Sequence, residues 1–167
     1  MAAGSTYTPI ATTTLGSAAS SYTFSSIPST YTDLVLILNT AQTGGGDPVI
    51  QFNSDTSTNY SNTYLYGTGT AAGSARANSA TYARVGYYGG GSGTVGNSNA
   101  IVSIQNYSNS TTYKTFLSRA NTAASGTDAI VGLWRSTSAI TSVTFAYTGS
   151  SNIATGSVLT LYGIAAA

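Results

Sequence analysis

No stretch of this chain repeats its apolar residues at the 3.6-residue spacing of a helix. Short runs rich in Thr, Val, Ile, Tyr and Phe recur instead, separated by clusters of Gly, Ser, Asn and Pro. They fall at Tyr7–Leu15, Ser21–Phe24, Thr32–Asn39, Pro48–Asn53, Thr63–Tyr66, Ala80–Tyr87, Asn99–Gln105, Tyr113–Arg119, Ala129–Trp134, Ser142–Tyr147 and Ser157–Ile164. So many short strands at this spacing admit only a sandwich or a barrel. The chain is 167 residues long, which suits one domain. A domain of that size buries about 70% of the surface its unfolded chain exposes. Three segments read as loops: Thr43–Pro48 and Tyr88–Asn99, turn-rich and mobile, and the small, polar Thr68–Ala80, which reads as a long surface excursion.

Two runs say more than the rest. "SVTFAY" alternates, with Val143, Phe145 and Tyr147 on one face and Ser142, Thr144 and Ala146 on the other, the pattern of a half-buried strand. "DLVLILN" is apolar at every position from Leu34 to Leu38, so both of its faces need cover. One meets the opposite sheet. The other needs a loop, the N-terminal segment or another subunit, which makes Leu34, Leu36 and Leu38 candidate interface residues and predicts a homo-oligomer. Met1–Leu15 is a candidate interaction arm, partly strand, ahead of a sandwich domain over Gly16–Ala167.

Charged residues make up only 5% of the chain, against about 25% in ordinary soluble domains. Its apolar runs fall far short of the roughly 20 residues that cross a bilayer as a helix. With 13 Tyr and 4 Phe it is too aromatic for a disordered chain. Ser, Thr, Asn and Gly carry the polarity. A neutral hydroxyl surface does not repel its own copies and suits crowded assembly. The net charge is +1 with the five basic residues scattered, so no basic stripe for nucleic acid is predicted, and no membrane partner. The first residues do not read as a secretion leader.

His, Cys and Glu are absent, which removes Ser–His and Cys–His nucleophile systems and the usual zinc ligands. The four aspartates, Asp33, Asp47, Asp55 and Asp128, sit in turn or strand-edge sequence and read as turn formers and Arg partners rather than a glycosidase pair. "NSDTSTN" (Asn53–Asn59) offers oxygen atoms but lacks the spacing of a calcium loop, and reads as an Asx-rich turn. "YYGGGSG" lacks the Gly-Lys-[Ser/Thr] of a phosphate loop. The expectation is a non-enzyme without cofactor or metal. The only tryptophan, Trp134, precedes Arg135 between a strand and a Ser/Thr turn. The pair reads as a structural clamp joining two strands, with Asp33 and Asp128 as its carboxylate candidates. The other reading is a Trp/Arg anchor facing a partner. Tyr82, Tyr87 and Tyr88 flank the second Gly-rich loop and are candidate interface residues, set against the commoner role of Tyr as core filler.

Five phrases, "SSIPSTYTDLVLILN", "IQFNSDTSTNYSNTYLYG", "IQNYSNSTTYKTFLSRAN", "GLWRSTSAITSV" and "GSVLTLYGI", stand in the order found in a family of small tailed-phage virion proteins of cyanophages and other marine phages. The chain resembles that family from Tyr7 to Ile164. The resemblance implies a jelly-roll-like antiparallel β-sandwich in the virion, present in many copies, and transfers no catalytic residue. The function it implies is capsid decoration: binding the outer face of the major capsid protein, as a homo-oligomer with a trimer as one candidate, and stabilising the head. The alternative is a tail-fibre, spike or receptor-binding module whose Tyr-rich loops contact host glycan.

Overall fold

The computed structural model describes residues 6–88 and 98–165. Twelve strands form, and no helix appears among the described residues. They are β1 (Tyr7–Thr14), β2 (Ser21–Phe24), β3 (Asp33–Asn39), β4 (Pro48–Phe52), β5 (Tyr60–Gly67), β6 (Ala72–Ala80), β7 (Ala83–Arg84), β8 (Ser98–Ile104), β9 (Lys114–Thr122), β10 (Gly126–Trp134), β11 (Val143–Tyr147) and β12 (Val158–Ile164). Eight of them make one sheet in the order β1-β12-β3-β8-β9-β10-β5-β6, and four make a second in the order β2-β11-β4-β7. Every pairing is antiparallel.

The chain shuttles between the sheets from β2 through β3 and β4 to β5, and again from β6 through β7 to β8 and from β10 through β11 to β12. Only the β5–β6 hairpin and the β8–β9–β10 meander stay within one sheet. Antiparallel strands wound across two facing sheets in this way form a jelly-roll sandwich. Period-2 patterning explains why. In β9 burial alternates at every residue, with Phe116, Ser118 and Ala120 inward. The inward residues of the two sheets then close on each other: Leu34, Leu36, Leu159, Leu161 and Phe116 from the large sheet, Ile50, Phe52, Val143 and Phe145 from the small one.

Packing between neighbouring strands beneath this core needs one glycine in particular. Gly132 pairs with Phe116, and a Cβ on Gly132 would fall inside the Phe116 ring. The bare backbone of β10 is the floor on which that ring lies.

The structure corrects several expectations. Leu34, Leu36 and Leu38 are fully buried core residues, not interface residues. The outward positions of β3 are Val35, which its own chain buries, and Ile37, which is half-buried. The chain itself thus covers most of both faces of this strand. Thr68–Ala80 is not a surface excursion. A turn at Thr68–Ala71, with Gly69 at φ +83°, leads into β6, which pairs along β5. Its sequence, AGSARANSA, has little intrinsic strand preference, and the ladder to β5 imposes the conformation. The N-terminal segment is no free arm where it is described, because Tyr7–Thr14 pairs with β12 at the sheet edge. The edge is interrupted at Pro9, where the register shifts, a feature that discourages further strand addition. Thr43–Pro48 is pinned rather than loose: Gly44 N donates to Ser151 Oγ and Asp47 N to Thr148 Oγ1.

Candidate interaction surface

The Trp134–Arg135 pair is a clamp, built with a different carboxylate from the two expected. Trp134 ends β10 inside an aromatic cluster, with ring centroids 5.5 Å from Phe52 and 6.3 Å from Tyr60, the latter stacked at 18°. Its indole Nε1 donates to Asp55 Oδ2 at 2.7 Å. Arg135 reaches back to the chain leading into β5. Its backbone N donates to Asn59 O, and its guanidinium donates to Thr58 O, Tyr60 O and Ser61 Oγ. Together they fasten the end of β10 to the turn before β5. Asp33 and Asp128 are elsewhere: Asp33 accepts from Asn106 N, and Asp128 from Tyr87 N and Tyr88 N.

Asp55 is the centre of a saturated turn. Burial opposes its charge, but donors from Asn59, Trp134 and Ser57 outweigh that and hold its pKa at about 2. Both carboxylate oxygens are engaged by N–H donors. Asn53 Oδ1 likewise accepts from Thr141 N and Ser142 N, so Asn53 and Asp55 spend their side-chain oxygen atoms on the fold itself. Asp47 pairs with Arg84. Lys114 is fully buried, and its Nζ donates to Thr112 O and Thr137 O; burial pushes its pKa down. Among the described residues no three His, Cys, Asp or Glu side chains come together as metal ligands.

The tyrosines divide. Tyr87 packs within 5.1 Å of Tyr64 and 5.6 Å of Tyr66, and Arg84 lies over the Tyr64 and Tyr87 rings. Tyr88 is exposed at the end of this cluster, 4.8 Å from Tyr66. Tyr82 is half-buried, and its carbonyl accepts from Asn62 Nδ2. Of the three, Tyr88 is the most exposed. Residues 89–97 of the adjoining Gly-rich loop lie outside the described residues.

The surface that sequence reasoning missed is the outer face of the large sheet. Leu65 is 61% exposed, Leu117 53%, Val131 48% and Ile101 37%. They belong to four neighbouring strands, and the register sets them side by side. One outward row runs Ile37, Ile101, Arg119, Ala129, Leu65 across β3, β8, β9, β10 and β5. The next runs Val35, Ser103, Leu117, Val131, Thr63 across the same strands. The small side chains Ser103, Ala129 and Thr63 sit between the large ones and leave a depression of about 540 Å³. An uncharged polar row, Asn39, Asn99, Asn121 and Thr127, borders it. An apolar patch bordered by polar side chains has features of a protein contact surface.

The signal was in the sequence. Ile101–Val102, Phe116–Leu117, Ile130–Val131 and Tyr64–Leu65 are consecutive apolar pairs within strands, so each strand must show an apolar side chain on both faces. That is the property noticed in Leu34–Leu38, repeated where the chain does not cover it. Compared with known proteins, no family model matches this chain, and no curated protein matches it in sequence.

Proposed function

We propose that this protein is a virion structural component, a capsid decoration protein that binds the outer face of a major capsid protein and reinforces the head. The observation that carries the reading is an exposed apolar sheet face, bordered by a polar row, on a nearly uncharged sandwich whose aspartates and lysine are all committed to internal contacts. Such a molecule acts by adhesion. The ordered resemblance of five sequence phrases to tailed-phage virion proteins supplies the setting.

The mechanism is linkage. A protein that binds only the assembled shell stabilises it by RT ln(1 + [L]/Kd), about 2.7 kcal/mol per site when free protein is at a hundred times Kd. A shell offers many equivalent sites, so modest contacts sum to large reinforcement. The test is to heat purified heads with and without the protein. Decoration raises the temperature at which DNA is released and leaves adsorption to cells unchanged. No shift in release temperature contradicts it.

A second reading, a fibre or receptor-binding module, draws on Tyr88. Its exposed ring beside Tyr66 is the kind of platform on which a sugar stacks. That reading requires free protein to compete with whole phage for cells.

A further inference from the structure

We propose that the outer face of the eight-stranded sheet docks a partner protein whose contact surface is apolar and carries carboxylates placed opposite Arg119 and Arg76. This deepens the adhesive reading above and rests on it; what it adds is which face binds, and the charge of what is bound.

The argument begins with charge. Arg119 stands in the apolar row between Ile101 and Ala129. Arg76 on β6 pairs with Thr63, so it shares the same face. The two cations are three strand spacings apart, about 14 Å across the sheet. Among the described residues the ion pair is Arg84 with Asp47, and neither Arg119 nor Arg76 has a carboxylate partner among them. The one acid on this face, Asp33, lies at the far end of β3, where it accepts from Asn106 N. The face is therefore apolar with excess positive charge.

That decides between occupants. A second copy of this chain, laid face to face, would set arginines against a surface that also carries arginines, and like charges brought into a dry interface are costly. A partner with apolar side chains bracketed by Asp or Glu satisfies both features: it fills the depression between Leu117, Val131 and Leu65 and gives each guanidinium the carboxylate it lacks. In a chain with five basic residues, two of them free on the one face with a large exposed apolar cluster is a specific juxtaposition.

The test starts from immobilised wild-type protein panned against a random dodecapeptide library. Enriched peptides are expected to combine Leu, Ile or Phe with Asp or Glu, and to bind more weakly as salt rises. They should bind Leu117→Asn and Arg119→Glu about tenfold or more weakly, and Ser21→Asn, on the outer face of the other sheet, as tightly as wild type. Thermal melts of the three variants show that each is folded. Failure to enrich any peptide overturns the inference, as does enrichment of peptides indifferent to both face variants. A wild-type dimer in the ultracentrifuge that Leu117→Asn disperses also overturns it, in favour of a second copy. Binding of wild type and variants to purified heads is measured in parallel. Heads that bind Leu117→Asn and Arg119→Glu as well as wild type put the contact on another face and leave decoration standing. Peptide enrichment without binding to heads upholds the surface and removes decoration.

Discussion

Trp134 and Asp55 show how much of this fold hangs on single side chains. Trp134 is buried against Phe52 and Tyr60, so Trp134→Ala is expected to cost about 3–5 kcal/mol, read as a large fall in melting temperature. An unchanged melt would mean that the ring carries no packing. Asp55→Asn removes a charge held by three donors and is expected to cost about 1–3 kcal/mol. Its pH signature is more specific. The folded-state pKa lies below the ordinary value of 3.8, so the stability that Asp55 contributes is present above about pH 4 and is lost as pH falls toward about 2. Acid melts of Asp55→Asn should lack that part of the decline. At the other extreme, burial raises the pKa of Tyr60 and Tyr147 above the ordinary 10.0, so their contribution is intact below pH 10 and disappears as pH rises beyond it. Gly132→Ala puts a methyl group into the Phe116 ring and is expected to destabilise by about 1–3 kcal/mol, unless β10 shifts to make room.

The elements were legible in the sequence to the degree that side-chain pattern, rather than pairing, determined them. β2 was bounded at both ends, and β3, β8, β11 and β12 within a residue, because each is an apolar run closed by turn residues. β6 was not, since Ala, Gly and Ser carry almost no strand signal and only the ladder from β5 makes the segment extended. The same division runs through the candidate site. Trp134 and Arg135 announced a clamp by their rarity, but its carboxylate, Asp55, came from a turn remote in sequence, which spacing alone does not reveal. The outer apolar face depends on register: Leu65, Ile101, Leu117 and Val131 become neighbours only once β8, β9, β10 and β5 are aligned. This difference in how strands are held predicts their dynamics. β6 has one neighbour and β9 has two, so amides of β6 should exchange with solvent faster than those of β9. Equal protection would imply that β6 is paired in solution with something beyond β5.

At the scale of the whole molecule, each sheet of the sandwich turns one face outward, and that of the eight-stranded sheet is apolar in the middle, polar along one border and positive in its excess charge. On the decoration reading proposed above, the low overall charge lets copies crowd together and the apolar face supplies the adhesion. Reinforcement of a shell on that reading needs only a face that matches a repeated surface. Imaging intact heads carrying this protein by electron cryomicroscopy tests this most directly. The account predicts density for the sandwich at repeated positions over the outer head surface, with β8, β9, β10 and β5 turned toward the shell. Density confined to the tail tip or a single vertex, or a sandwich seated by its small sheet, would contradict it.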